Sequence, residues 1–136
     1  MKLFTKAVLD QLIKNGETQA AVKGTSSEQD LWPVCKLFDP VRASTWLLTE
    51  IIPGTNSAVA FGLADLGIGF PEIGEIDLAE ITAYKGRLGL GIERDIYWRP
   101  RGPLSRYHEA AVRAGNIVQL PQPPAPVRER EEGVEG

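Results

Sequence analysis

The sequence predicts an α+β fold: one small domain with a largely antiparallel sheet of about five strands and about three helices, followed by a disordered C-terminal tail. Three observations predict it. The length of 136 residues suits a single domain, and an apolar content of 43% is typical of globular proteins. Segments with strand-like patterns follow one another over short links, which favours antiparallel pairing.

The first element is a helix, predicted over residues 5–15. Thr5 is a favourable N-cap residue, and apolar residues recur at helical spacing on one face: Val8, Leu9, Leu12 and Ile13. Gly16 is predicted to end this helix as its C′ residue. Residues 17–30 are polar, so we expect a loop there.

Four strands are predicted next, over residues 33–38, 45–52, 58–65 and 72–76. Turn-forming residues separate them. In the third strand Phe61 and Leu63 share one face, while Ala60, Gly62 and Ala64 share the other. Because this second face is small, we expect another element to approach it closely.

Two helices and a fifth strand complete the predicted domain. Asp77 and Glu80 have the spacing of a capping box, which predicts that a helix begins after Asp77. Residues 92–98 alternate as a strand does. A last helix is predicted over residues 105–114, with Ser105 as its cap and Gly115 as its stop. We expect the helices on one face or at one end of the sheet.

The composition changes towards the C-terminus. Prolines accumulate after Gln119, and the final residues are charged with few apolar side chains. Such a segment has too little to bury to form a packed structure. We therefore predict a globular α+β domain over residues 1–116 and a Pro/Glu-rich disordered tail over residues 117–136.

Charge is unevenly distributed along the chain, although the formal net charge of −3 is too small to define a class of partner. Residues 43–84 contain no lysine or arginine but include acids, namely Glu50, Asp65, Glu72, Glu75, Asp77 and Glu80. Residues 85–113 are mainly basic instead. Either the fold keeps these segments apart and the molecule is electrically two-sided, or the segments pair with each other.

Cys35 is the only cysteine and His108 the only histidine. An intramolecular disulfide and a zinc site built of cysteines are therefore excluded. The two residues are the minimum pair for a thiol nucleophile, but a free cysteine in an apolar strand is more often a buried small hydrophobe. No signal peptide or membrane-length apolar run is evident, so we expect a cytoplasmic protein without membrane contact.

Asp65, Glu75 and Asp77 are the candidate metal ligands. Glu75 and Asp77 are two residues apart and would point the same way on a strand. If the third and fourth strands form a hairpin, Asp65 would lie near them, and carboxylate oxygens bind Mg²⁺ or Ca²⁺. The alternative is structural, since Asp77 also fits the role of a helix cap. The glycine-rich runs complete no nucleotide-binding fingerprint, and no cofactor is expected.

A basic and aromatic group offers the candidate partner-binding surface. It consists of Arg94, Tyr97, Trp98, Arg99, Arg101, Arg106 and Tyr107. Arginine and aromatic residues dominate hot spots of protein interfaces. They also stack bases and hold phosphates, so nucleic acid is the alternative partner.

Several short motifs resemble an uncharacterised bacterial domain-of-unknown-function family, typical of plasmids and integrative elements. The motifs are KLF at residues 36–38, TWLLTE at 45–50, FGL at 61–63, DLG at 65–67, PEIG at 71–74, GRLGL at 86–90, IERD at 92–95 and PLS at 103–105. The resemblance spans roughly residues 3–114. It implies a place near genes for transfer or anti-defence, and it carries over no catalytic residue or cofactor.

The sequence therefore favours a non-catalytic accessory protein of a bacterial mobile element that binds a protein partner. The first alternative is a nucleic-acid-associated accessory factor that uses the basic and aromatic group. The second is an enzyme with a carboxylate metal site.

Overall fold

The computed structural model describes residues 3–122. The elements in chain order are α1 (Lys6–Val22), β1 (Cys35–Phe38), β2 (Thr45–Ile51), β3 (Val59–Asp65), β4 (Glu72–Asp77), α2 (Leu78–Ala83), β5 (Glu93–Arg94) and α3 (Leu104–Ala114). They form an α+β domain with a five-stranded sheet and three helices in this part of the chain. The predicted fold class is confirmed.

The sheet has the strand order β4-β3-β2-β1-β5, and every neighbouring pair is antiparallel. Strands β4 and β5 are therefore its two edges. One row of paired residues crosses the sheet near one end: Glu93 pairs with Phe38, Phe38 with Thr45, and Thr45 with Asp65. This row fixes which loops meet at that end of the sheet.

Helices cover both faces of the sheet, so the expectation of helices on one face or at one end was wrong. On one face, Leu12 of α1 packs with Leu48 and Ala60, in what we call the α1-side core. On the other face, Tyr107 of α3 packs with Leu47 and Leu63, in what we call the α3-side core. Strand β2 is buried on both faces because it lies in the middle of the sheet, and its apolar run Trp46-Leu47-Leu48 supplies both cores.

Helix α1 passes through Gly16 and continues to Val22, so Gly16 is not a C′ residue. A Cβ at Gly16 would lie 1.7 Å from the carbonyl oxygen of Ile51. The glycine therefore serves close contact with β2 rather than termination of the helix. Beyond it, buried Gln19 holds the following loop, because its amide donates to the Gln29 carbonyl and accepts from the Gln29 N–H.

The N-terminal caps of α1 and α2 follow the prediction. The Thr5 hydroxyl oxygen accepts the Val8 N–H at 3.2 Å, and the Asp77 carboxylate accepts the Glu80 N–H at 3.1 Å. Helix α3 differs, because it begins at Leu104 and Ser105 lies inside its first turn. Asp30 caps it instead, accepting hydrogen bonds from the Ser105 N–H and hydroxyl.

Strand β5 is shorter than the predicted strand over residues 92–98. The carboxylate of Asp95 accepts the Tyr97 N–H at 3.0 Å, and the Asp95 carbonyl accepts the Trp98 N–H at 3.3 Å. These bonds form a turn directly after Arg94, so the chain leaves the sheet there. The alternating pattern of residues 92–98 therefore reflects a strand only at its beginning.

The chain after α3 packs against the domain through Leu120. The Ile117 N–H donates to the Asp65 carboxylate at 2.8 Å, and Leu120 is buried in the α3-side core. The packed region thus extends past the predicted boundary at residue 116. The rest of the predicted tail, residues 123–136, lies outside the described residues. Among residues 3–122 no helix combines the length and apolarity that crossing a membrane requires.

Candidate functional site at one end of the sheet

Two of the three aromatic residues in the basic and aromatic group, Trp98 and Tyr107, pack together at the core beside α3. Tyr107 is buried, and its ring centroid is 5.6 Å from that of half-buried Trp98. The Tyr107 hydroxyl accepts the Arg101 N–H at 2.9 Å and donates to the side chain of Gln119. Burial raises the pKa of Tyr107, and the hydrogen bond accepted from the Arg101 N–H opposes that rise. Both rings therefore stabilise the α3-side core.

The remaining members of the group divide between main-chain contacts and solvent. The Arg94 guanidinium donates to the Leu3 carbonyl at 3.1 Å, and that of Arg101 donates to the Leu120 carbonyl at 2.9 Å. Arg99 bonds the nearby Ile96 and Trp98 carbonyls. Arg106 is exposed, and Tyr97 is 86% exposed. Because Tyr107 is buried and Trp98 is half-buried, the seven residues are not all exposed.

The three candidate metal ligands do not converge. Strands β3 and β4 do pair, but the register places Asp77 opposite Val59 at one end of β3 and Asp65 at the other end. Six residues of strand separate these ends, which is about 20 Å. Buried Asp65 accepts the N–H groups of Gly67 and Ile117. Among residues 3–122 no cluster of metal-ligand type occurs.

Cys35 and His108 are also apart. Cys35 lies on β1 in the α1-side core, whereas His108 lies on α3 across the sheet. Burial raises the pKa of Cys35 to about 12, so its thiol is protonated at neutral pH. The pair does not provide a thiolate with a neighbouring base.

The acidic and basic segments do not pair with each other in the described part of the chain. Its ion pairs join Lys6 to Asp10, Lys23 to Glu28 and Lys36 to Asp95. The acids of β4 lie at one edge of the sheet and Arg94 of β5 lies at the other. The alternative of pairing between the segments is therefore wrong, and the two edges differ in charge.

Three loops meet at one end of the sheet, and we call this region the loop end. It comprises residues 39–44 between β1 and β2, residues 66–71 between β3 and β4, and residues 85–91 between α2 and β5. The paired row from Glu93 to Asp65 brings their bases together. Two of the loops also touch, since a Cβ at Gly67 would lie 3.1 Å from the Ala43 Cβ.

Two buried aspartates hold the loop end in place. Asp39 accepts the N–H groups of Val41 and Arg42 at 2.9 and 3.2 Å. Asp65 accepts the Gly67 N–H at 2.9 Å. The Val41 N–H is the main reason that the pKa of Asp39 is lowered, and the Tyr84 hydroxyl lowers it further. The same contact with Asp39 is the main reason that the pKa of Tyr84 is raised.

Large apolar side chains project from these loops into solvent. Ile68 is 69% exposed, Phe70 75% and Leu88 71%, and Leu66 and Val41 are also exposed. Gly67 and Gly69 have positive φ, which glycine adopts at no steric cost. The alternation of glycine with large apolar residues in 66–70 thus builds a loop whose apolar side chains have no core to enter.

Two adjacent cavities lie between the loops. The first, of about 400 Å³, is lined by Asp39, Arg42, Ser44, Trp46, Leu66, Glu80, Ile81, Tyr84 and Ile92. The second, of about 250 Å³, is lined by Val41, Arg42, Tyr84, Gly86, Arg87 and Leu88. Arg42 and Tyr84 line both. A wider groove of about 730 Å³ beside β5 shares Tyr84 and Ile92 with the first cavity.

Two motifs of the family resemblance, DLG at residues 65–67 and GRLGL at 86–90, lie at the loop end, but the sequence prediction assigned no binding role to it. Its glycines indicate turns, and a turn pattern alone says nothing of the exposed Leu, Ile and Phe side chains between them. The available signal was a run of large apolar residues that alternates with glycine and so fits neither a strand nor a helix. Such a run places apolar side chains on a loop, where exposed patches mark interaction sites.

The search for relatives agrees with the resemblance noted in the motifs. No curated protein and no solved structure matches the chain. A family model described as "Protein of unknown function (DUF2958)" matches residues 3–118. The association with plasmids and integrative elements stays a prediction. Because the match covers most of its length, the chain belongs to the DUF2958 family.

Proposed function

We propose that this protein is a non-catalytic interaction protein that binds a protein partner at the loop end. One observation carries the proposal: Ile68, Phe70 and Leu88 project from the loops of the loop end with most of their surface in solvent. Burying a side chain of this size contributes roughly 1.5–3 kcal/mol. Exposed apolar groups gathered in this way are characteristic of protein interaction sites.

The anchoring of the loops favours binding further. Asp39 and Asp65 each accept main-chain N–H groups from the loop that follows them, so two of the three loops, over residues 39–44 and 66–71, are held before a partner arrives. Preorganised contacts lose less conformational entropy on binding than mobile ones. The expectation that the partner belongs to the transfer or anti-defence machinery of a mobile element rests on the family resemblance alone.

Association with nucleic acid receives less support from the geometry. Trp98 and Tyr107 pack in the core, and the guanidinium groups of Arg94 and Arg101 bond main-chain carbonyls. Stacking of bases needs exposed aromatic faces. An enzyme with a carboxylate metal site also receives less support, since Asp65 lies far from Asp77.

Site-specific photo-crosslinking tests the proposed surface against the one that the sequence suggested. A photoreactive phenylalanine analogue replaces Phe70 in the full chain, and in a matched variant it replaces Tyr97. Both side chains are aromatic and exposed. They lie towards different edges of the sheet, because Phe70 belongs to the loop between β3 and β4 and Tyr97 follows β5, the strand at the other edge.

We expect one discrete protein adduct in host cells from position 70 and none from position 97. Adding Ile68→Asp to the position-70 variant should abolish the adduct while leaving the melting temperature unchanged, because Ile68 is 69% exposed. An adduct from position 97 alone would return the partner surface to the basic and aromatic group. An adduct that consists of nucleic acid, removed by nuclease, would favour the nucleic-acid alternative.

A further inference from the structure

We infer that the partner bound at the loop end presents a large apolar side chain with a carboxylate beside it. The apolar side chain occupies the first cavity, and the carboxylate lies between Arg42 and Arg87 over the second. This inference rests on the proposed function and specifies the chemistry of the partner. It follows from the lining of the cavities, the anchoring of Arg42 and the local balance of charge.

The first cavity has an apolar floor. Trp46, Ile81 and Ile92 belong to the α1-side core, and they also line this cavity together with Leu66. The volume of about 400 Å³ is larger than one side chain needs. Interface hot spots insert an apolar or aromatic anchor into such concave sites, where water is excluded around them.

Arg42 occupies the boundary between the two cavities, since it lines both. Its main-chain N–H donates to the Asp39 carboxylate at 3.2 Å, which holds the backbone of the loop and thereby the base of the side chain. In the described residues the ion pairs include neither Arg42 nor Arg87. The charge of Arg42 acts on nearby Asp39 without forming an ion pair with it, so both guanidinium groups keep donors for an incoming carboxylate, which arginine binds through paired hydrogen bonds.

Acidic residues near Arg42 also contribute to the electrostatic potential at the two cavities. Asp39 and Glu80 line the first cavity. One oxygen of Asp39 accepts both main-chain N–H groups, and the Tyr84 hydroxyl and the charge of Arg42 also act on this carboxylate. The second cavity is lined by Arg42 and Arg87 and by no acid. The electric field over the second cavity therefore favours an anion, while the first cavity accepts an apolar side chain.

Selection of random-sequence peptides displayed on phage, with the full chain as the target, tests the inference and does not require the natural partner. We expect selected peptides to share a large apolar residue followed within about three positions by Asp or Glu, the spacing over which side chains of a bound segment reach neighbouring sites. A synthetic peptide of that consensus should lose affinity at least about tenfold against Arg42→Glu or Arg87→Glu, the size expected for a charge-assisted pair.

A charge swap separates recognition from misfolding. Replacing the acid of the peptide by lysine should restore binding to the Arg42→Glu protein, which a merely damaged fold would not do. Arg113→Glu is the matched control, since Arg113 is an exposed arginine on α3 and away from both cavities. It should leave the affinity within about twofold, as expected of a distant surface charge screened by salt.

The outcomes distinguish this inference from the proposed function. Peptides whose binding is abolished by Phe70→Asp but unaffected by Arg42→Glu would overturn the acidic neighbour and leave the loop end as a binding surface. A basic consensus, or a charge swap without rescue, would also overturn it. If the selected peptides respond to neither Phe70→Asp nor Arg42→Glu, both the inference and the loop-end proposal are wrong.

Discussion

Gly16→Ala tests the fold most directly, because helix propensity and tertiary packing predict opposite signs. In an isolated helix, alanine in place of glycine stabilises by about 1 kcal/mol. In this protein, an added Cβ would lie 1.7 Å from the Ile51 carbonyl oxygen and 2.9 Å from the Ile51 carbonyl carbon. Ordinary contacts require roughly 3.5–4.0 Å, so α1 must move away from β2 by about 2 Å.

This movement has a calculable cost. Overpacking of a core typically costs 1–3 kcal/mol. The shift also disturbs the 2.9 Å hydrogen bond from the Asn15 amide to the Thr49 carbonyl, which contributes about 1 kcal/mol. The gain in propensity offsets about the same amount. We therefore expect Gly16→Ala to destabilise the protein by about 1–3 kcal/mol. For a domain of this size, each kcal/mol lowers the melting temperature by roughly 3–6 °C.

Urea denaturation followed by circular dichroism measures the effect, with Gly74→Ala as the matched control. Gly74 lies on edge strand β4, and a Cβ there meets no atom within 4 Å. Alanine at that position should be neutral or slightly stabilising, since it lowers the entropy of the unfolded chain. If Gly16→Ala is as stable as the parent or more so, the close approach of α1 to β2 is wrong.

The remaining predictions concern three buried or capping carboxylates. Asp65→Ala leaves two N–H groups without their acceptor, so we expect the free energy of unfolding to fall by about 2–5 kcal/mol. The Ile117 amide should also exchange faster in hydrogen–deuterium exchange, and unchanged exchange there contradicts the Asp65 contact. Glu50 is buried and burial raises its pKa, so its ionisation disfavours folding above the raised pKa and this penalty is relieved as the pH falls through it. Glu50→Gln should therefore raise the melting temperature at pH 8 and give a smaller gain near pH 5, and an equal gain at both pH values would show that Glu50 does not titrate in this way. Asp30→Ala should lower the free energy of unfolding by about 1 kcal/mol through loss of the cap of α3. Ser105→Ala keeps the main-chain hydrogen bond to Asp30 and should lower it less. Equal decreases in melting temperature would place the cap at Ser105.

The elements were predictable where local chemistry alone specifies them. Thr5 and Asp77 cap their helices through side chains that reach three residues along the chain. Strands β2 to β4 follow from apolar and β-branched runs between turn residues, and the faces of β3 follow from alternation alone. In each case the capping partner or the residue pattern that predicts the element lies within a few residues along the chain.

The candidate site was less predictable, because its residues come together only through strand register. Asp65 and Asp77 are close in sequence and belong to one hairpin, yet the pairing of Val59 with Asp77 separates them. Trp98 and Tyr107 carry the residue types of a binding surface but pack with Leu47 and Leu63 instead. Composition specifies what a side chain is able to do and not whether the fold leaves it exposed.

The sequence by itself determined the class of fold, the order of the elements and the caps of the first two helices, because periodicity and short-range hydrogen bonds act over a few residues. Tertiary structure alone decided the rest. Gly16 lies inside α1 against Ile51 instead of ending the helix, Asp30 caps α3 from 75 residues away, and strand register gathers three distant loops at one end. These contacts depend on distances in space that no local pattern encodes.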